Sequence, residues 1–164
     1  MLDNNWLGDK TGQGFFKKEK GAGGEKEILT LNLQTMEYGA RTKPKFASVD
    51  AAKPIDDLKT RIKMLCSSSD KAGEFYKTFH YALFSYISHR IPEISDELYR
   101  VDDAMMAGFG WEIGAFESWD VLGVAKTTES MKTAGYKIAA WVDEMIAAGN
   151  KSFYKVEGGK KYCY

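Results

Sequence analysis

The sequence predicts a mainly α-helical fold, a compact multi-helix bundle with small β-hairpins in the linker before it and in the tail after it. Between residues 48 and 148, apolar residues recur at spacings of three and four, as in helices packed on a core. Glycines directly follow several of these segments, where helices commonly end. Hydrophobic residues make up 44% of the 164 residues, which is enough to form a core.

The first 47 residues lack this helical pattern. Residues 14–18 are similar to residues 152–156, so we interpret residues 1–20 as the tail of a preceding helical module. Residues 21–47 are predicted to be a linker with a β-hairpin, because apolar and polar residues alternate along residues 28–33. Residues 48–164 form the predicted helical domain.

Six helical segments are predicted in this domain, and a terminal hairpin is predicted from residues 152–156 and 160–164. Pro54 suits the first turn of the first helix, and Asp70 can cap the second and longest one. Gly108 is predicted to end the third helix. The segments are residues 55–66, residues 71–90, the stretch from Ser95 or Asp96 to Gly108, residues 112–122, residues 124–134 and residues 138–148.

Composition excludes several classes of function. The 23 basic and 23 acidic residues balance, which argues against a nucleic-acid partner. No apolar run is long enough for a membrane span, and the N-terminus lacks the apolar core of a signal peptide, so we expect a cytoplasmic protein. Cys66 and Cys163 are isolated from each other and from other metal-ligand residues, so we expect no metal site.

Candidate chemistry is sparse. The glycines of residues 108–114 are at the wrong spacing for a dinucleotide loop and follow a helix, so this stretch is interpreted as a packing turn. His80 and His89 would point to opposite faces of one helix; His80 is expected in the core or an interface, and His89 near the helix dipole. Cys66 is predicted to end a helix with no histidine nearby and is interpreted as a small buried group.

Aromatic and acidic residues offer the remaining candidates. Phe75, Phe79, Leu83 and Tyr86 lie along one stripe of the longest helix. Trp111, Phe116 and Trp119 form a dense aromatic group, either in the core or at an interface. Asp102 is a candidate buried anchor, whereas Asp103 is expected to be solvated or capping.

Residues 101–123 resemble the signature of the C-terminal domain of 3-hydroxyacyl-CoA dehydrogenases. Ala115 stands where that family usually has proline. Residues 7–16 resemble the segment with which the same domain ends, which fits a tail from a preceding module. The motif and candidate interface positions are Asp102, Gly108, Phe109, Gly110, Trp111, Gly114, Phe116, Trp119, Asp120 and Gly123.

The resemblance implies NAD-dependent oxidation of 3-hydroxyacyl-CoA in fatty-acid β-oxidation. In that family the catalytic His–Glu pair and the NAD site lie in a preceding Rossmann domain, which is missing here. The family's Asn-Arg pair is absent as well, so we assign no catalytic or cofactor-binding residue and expect the chain alone to be inactive. The expected partners are the Rossmann domain of the same protein, an acyl-CoA substrate in the parent enzyme, and a second copy in a homodimer.

Two uses of such a domain remain open. A segment that serves interdomain or dimer packing and closes the substrate cleft would expose an apolar face. A stand-alone helical module that binds acyl-CoA or a protein would instead have a closed surface and a pocket rimmed by lysine or arginine. A complete small enzyme is the least favoured, because no nucleophile and base are paired.

Overall fold

A computed structural model describes residues 1–21, 23–158 and 160–164. It divides the chain into two compact units, Met1–Lys45 and Phe46–Tyr164. The first unit has two short 3-10 turns, Leu2–Asn4 and Asp9–Thr11, and three strands. The strands are β1 (Phe16–Lys20), β2 (Lys26–Leu31) and β3 (Tyr38–Ala40).

The three strands form one antiparallel sheet in the order β1-β2-β3. Leu29 is opposite Ala40, so the hairpin predicted within residues 21–47 is confirmed by β2 and β3. Strand β1 was not predicted; its five residues carry three lysines and no clear apolar alternation. It pairs with β2, so a boundary at residue 20 falls within one structural unit. The origin of residues 1–20 in a preceding module stays a prediction.

The second unit contains seven helices in its described residues and ends in a hairpin, which confirms the mainly α fold class. In the tail, Tyr154 is opposite Cys163, and the hairpin predicted there is confirmed. Gly159, at the predicted turn, lies outside the described residues. The elements are α1 (Ala47–Ala52), α2 (Leu58–Ser67), α3 (Lys71–Ser88), α4 (Leu98–Phe109), α5 (Ala115–Leu122), α6 (Val124–Thr133), α7 (Ala140–Ala147), β4 (Tyr154–Glu157) and β5 (Lys160–Cys163).

Aspartate caps begin two of the helices. Asp70 accepts a hydrogen bond from the Gly73 N–H at 2.9 Å, which confirms the cap predicted for α3. Asp57 accepts the Thr60 N–H at 2.6 Å and begins α2. Pro54 therefore lies before this helix, and its predicted place in the first turn is wrong.

Glycines end helices where the backbone turns left-handed. Gly135 and Gly149 have φ of 86° and 89° after α6 and α7, as predicted. Gly108 lies inside α4, however, so its prediction as the helix end is wrong. Gly110, with φ of 66°, is the residue that ends α4.

The core of the second unit is centred on α5. The Trp119 ring is fully buried and stacks on Phe84 of α3, with centroids 4.8 Å apart and planes at 2°. Phe153, just before β4, packs 5.2 Å from the same ring. The other buried members of this cluster are Ile87, Leu98, Ala115, Phe116, Val124, Met131, Val142 and Met145.

Within the described residues, each helix is too short or too polar to cross a bilayer.

Candidate functional site

Asp102 of α4 is buried at the centre of the recognised motif, with 2% of its surface exposed. Its Oδ1 accepts the Phe116 N–H at 2.8 Å, and its Oδ2 accepts the Glu117 N–H at 3.0 Å. Oδ2 also accepts the Tyr154 hydroxyl at 2.9 Å. One carboxylate thus joins α4, the first turn of α5 and the terminal hairpin.

Gly114 makes this close approach possible. It is the N-cap of α5, and a Cβ atom added there would lie 2.1 Å from Asp102 Cγ. No side chain fits at that distance. The need for glycine at this position therefore comes from packing against the carboxylate. The predicted start of α5 at residue 112 is wrong, because the helix begins at Ala115, where Asp102 accepts the N–H groups of its first turn.

Asp120, near the other end of α5, holds the chain entering β4. Its two oxygens accept the N–H groups of Phe153 at 2.7 Å and Tyr154 at 2.9 Å. Burial, with the nearby Asp102 charge, raises the pKa of Asp120 to about 6. Burial also raises the pKa of Asp102 above its usual range, against the effect of its hydrogen-bond donors.

Two N–H groups in the first turn of α5 are already paired with a side chain of the protein. A dinucleotide cofactor would place its pyrophosphate against free N–H groups at a helix N-terminus. Here the N–H groups of Phe116 and Glu117 already donate to Asp102. These two N–H groups are therefore not free to bind a pyrophosphate.

The aromatic group of the motif is divided between two environments. Phe116 and Trp119 are fully buried in the core. Trp111 is only half-buried, and its ring lies 6.4 Å from Phe79 of α3 and 6.1 Å from Phe109 of α4. The core alternative stated for this group therefore applies to Phe116 and Trp119, whereas a place at an interface stays a prediction for Trp111.

Trp111, in the connection from α4 to α5, belongs to an apolar surface that also includes residues of α3, of α4 and of the loop between these two helices. We call this surface the aromatic face. Phe109 is 73% exposed, Ile94 68% and Tyr86 60%. A groove of about 520 Å³ runs between the two helices and is lined by several of these residues. The aromatic face consists of Phe79, Leu83, Tyr86, Ile94, Met105, Phe109 and Trp111.

The stripe of the longest helix therefore lies largely on the surface. Phe75 and Phe79 are 66% and 43% exposed, whereas the neighbouring residues Phe84 and Ile87 are in the core. Helical spacing identified the stripe, but spacing is the same for an apolar face that packs on the core and for one that remains open.

His80 and Cys66 form a contact that sequence reasoning missed. His80 is buried, and its Nδ1 lies 2.7 Å from the Tyr76 carbonyl and 3.5 Å from Cys66 Sγ. The interpretation of Cys66 as lacking a nearby histidine is therefore wrong. Burial lowers the pKa of His80 and raises the pKa of Cys66 to about 11, which favours a neutral pair over a thiolate nucleophile.

The remaining candidates have local roles. His89 Nδ1 lies 2.8 Å from the Ser85 carbonyl at the end of α3. Asp103 is exposed, unlike its neighbour Asp102. Gly123 has φ of 86° and connects α5 to α6. The described part of the chain gathers no three His, Cys, Asp or Glu side chains in metal-binding geometry.

Curated relatives match the chain over much or all of its length. It is 38% identical, over all 164 residues, to a Bacillus subtilis protein named probable 3-hydroxyacyl-CoA dehydrogenase, and covers 20% of that protein. Two Rickettsia proteins are named putative fatty acid oxidation complex trifunctional enzyme. The one from R. prowazekii is 24% identical over 71% of this chain, and that from R. felis is 21% identical over 98%, spanning 15% and 20% of those proteins.

No protein-family model and no solved structure matches the chain. The chain spans about a fifth of the length of the Bacillus relative. The resemblance inferred from residues 101–123 is confirmed, and the chain is homologous over its whole length to a segment of a protein named 3-hydroxyacyl-CoA dehydrogenase.

Proposed function

We propose that this chain is the C-terminal segment of a cytoplasmic, NAD-dependent 3-hydroxyacyl-CoA dehydrogenase of fatty-acid β-oxidation. In this proposal it packs against the nucleotide-binding domain, closes the substrate cleft and contributes no catalytic residue. The names of the relatives support the parent activity, and two of them refer to fatty acid oxidation. The small share of each relative that the chain covers supports a larger parent protein.

The aromatic face is the observation that carries the packing role. Phe109 and Tyr86 are more than half exposed, and they border a groove of about 520 Å³. Contiguous apolar surface of this kind is unfavourable in water and is typical of a site that another protein surface covers. In this proposal, covering it also helps to remove water from the substrate cleft of the parent enzyme, which strengthens polar interactions with a bound substrate.

The aromatic face is rigidly placed by the buried part of the motif. Phe109 is the last residue of α4, and Asp102 fastens that helix to α5 two turns earlier. Gly110 then turns the chain so that Trp111 packs beside Phe109. A surface held in this way needs little ordering when a partner binds, which favours association.

A stand-alone module that binds acyl-CoA or a protein is the second candidate function. The observation in its favour is a cavity in the second unit lined by Lys63, Lys77 and Lys126. Lysines around a cavity suit an anionic ligand. The homodimer remains a third possible use of the aromatic face, since a second copy could cover it equally well.

Isothermal titration of the purified chain with acetoacetyl-CoA and with NADH separates these functions. The titration is repeated with Lys77→Met, which alters the lysine-lined cavity. We expect no binding of either ligand that persists in this variant, because the catalytic and nucleotide sites are proposed to lie in another domain. Binding of the CoA ester alone that is lost in Lys77→Met would favour the second candidate, and binding of NADH that persists in it would contradict the proposal that the nucleotide site lies elsewhere.

Substitution of Phe109 in the full-length protein tests the packing role. Phe109→Ser should lower the dehydrogenase activity at least several-fold, because it removes apolar area from the proposed contact. Tyr162→Ser, which changes an exposed aromatic residue of the terminal hairpin, is the matched control and should leave the activity unchanged. Equal activities of the two variants would contradict the packing role.

A further inference from the structure

A cavity of about 340 Å³ lies among α2, α3, α6 and the end of α5. We call it the lysine cavity. Its lining shares no residue with the aromatic face and includes neither Asp102 nor Asp120. Its polar lining is formed chiefly by Lys63, Ser67, Lys77, Tyr81, Lys126 and Ser130.

On each of three helices, a lysine and a hydroxyl-bearing residue of the cavity are separated by the same number of residues. In every case a lysine is followed four residues later by a hydroxyl-bearing residue: Lys63 by Ser67, Lys77 by Tyr81, and Lys126 by Ser130. Residues four apart lie one above the other on a helix face. Three helices therefore each contribute one lysine and one hydroxyl-bearing residue to the lining of the same cavity. The Ser67 hydroxyl donates to the Lys63 carbonyl and can act only as an acceptor toward a ligand.

These lysines have no close ion-pair partner among the described residues, although hydrogen bonds from the first turn of α2 and, to a smaller extent, the charge of Lys63 lower the pKa of Asp57. Lys63, Lys77 and Lys126 form no salt bridge with any residue in the described ranges. The cavity lining in those ranges includes no carboxylate. Cys66 also lines it, but burial raises the pKa of this thiol to about 11, so it supplies no negative charge at neutral pH.

Two other lysines of the second unit differ from these three because each is paired with a carboxylate. Lys59, at the start of α2, and Lys161 of β5 both bind the Glu117 carboxylate, at 2.9 Å and 2.8 Å. Lys77 is half-buried without such a partner. Lys63 and Lys126 are exposed, so solvent screens their charges, and the half-buried Lys77 would gain most from an anion in the cavity.

The cavity also has an apolar wall. Val121 and Leu122, at the end of α5, line it beside the Tyr81 ring. We propose that the lysine cavity binds a small organic phosphate. The phosphate or diphosphate group contacts the lysines and hydroxyls, and the organic part packs against Val121 and Leu122. The volume is at the lower end of the range for small-molecule sites.

Titration of the ¹⁵N-labelled chain followed by NMR tests this site, with ADP, pyrophosphate and sodium chloride as probes at constant ionic strength. Pyrophosphate and ADP should give saturable shifts in the amides of residues 63–67, 77–81 and 121–130, with ADP binding more tightly. Chloride should not. Shifts spread evenly over all lysine-containing segments would contradict a specific site in the lysine cavity. Equal affinities for ADP and pyrophosphate would contradict the role of the apolar wall.

Substitution of two lysines of the cavity provides a second test of the proposal. Lys77→Met should weaken pyrophosphate binding about five- to tenfold, because it removes one charge-assisted contact. Lys126→Met, on another helix and exposed, should have a similar effect with little risk to folding. Lys71→Met, on α3 but outside the cavity, is the control and should bind as the unaltered chain does. Unchanged affinity in both cavity variants would overturn the proposal.

Discussion

Two aromatic regions of the second unit come from the same stretch of sequence and have opposite environments. Phe116 and Trp119 on α5 are fully buried, whereas Phe109 is 73% exposed and Trp111 is half-buried beside it. The difference teaches that aromatic density at helical spacing does not distinguish a core from an open face. Phe116 and Trp119 lie on α5, the helix whose two ends are held by hydrogen bonds to Asp102 and Asp120. Phe109 and Trp111 precede this helix.

The largest expected difference between the two regions is in stability. Trp119→Ala should lower the free energy of unfolding by roughly 3–5 kcal/mol, because it leaves a large cavity beside Phe84 and Phe153. Phe109→Ala should change it by only about 0.5 kcal/mol, as expected at an exposed position. Urea denaturation followed by circular dichroism measures both. Similar losses would show that the aromatic face is part of the core.

The next comparison tests the anchor between the two regions. Gly114→Ala should lower the free energy of unfolding by roughly 2–4 kcal/mol, since its Cβ would clash with the Asp102 carboxylate. Gly108→Ala is the matched control inside α4, where an added Cβ meets nothing within 4 Å. That change should stabilise the helix by up to about 1 kcal/mol. Thermal denaturation of both variants provides the measurement. A Gly114→Ala variant as stable as the unaltered chain would refute the close packing.

Loss of the Asp102 charge should have a smaller effect. In Asp102→Asn the amide N–H₂ replaces one acceptor, so the Phe116 or Glu117 N–H loses its hydrogen bond inside the protein. We expect a loss of about 1–3 kcal/mol in unfolding free energy. Asp103→Asn, at the exposed neighbouring position, should cost less than about 0.5 kcal/mol. Equal effects in chemical denaturation would argue against Asp102 as the anchor.

The smallest expected effect is a pH dependence from Asp120. Its pKa is raised to about 6 in the folded chain from an ordinary value of 3.8, so the folded state holds the proton more tightly. The stability that protonation of Asp120 contributes is therefore fully present below about pH 4 and is lost as the pH rises through about 6. NMR titration of the carboxyl carbon should show this midpoint.

The same effect should appear when the free energy of unfolding of the unaltered chain is compared with that of Asp120→Asn. As the pH falls from about 7 to about 4, the free energy of unfolding of the unaltered chain should rise by on the order of 1–2 kcal/mol relative to that of the variant. His80 is present in both proteins, so its own protonation cancels in the difference. A constant difference across this range would contradict the raised pKa of Asp120.

Much of the fold was predictable because its signals are local. The Asp70 cap and the glycines after α6 and α7 act through neighbouring backbone groups, and each was found from the sequence. The start of α5 was not, because it depends on Asp102, 14 residues away from Phe116. The cysteine–histidine contact was missed for the same reason, since Cys66 and His80 lie on different helices.

The sequence by itself determined the helical class, the hairpins of linker and tail, and the family resemblance, because periodicity, capping residues and motif spacing are properties of short stretches of chain. Only the tertiary structure decided which aromatic residues are buried, which carboxylates are consumed as internal anchors, and which lysines converge without partners. Burial and charge pairing depend on contacts between helices that are distant in sequence, and such contacts exist only after the chain has folded.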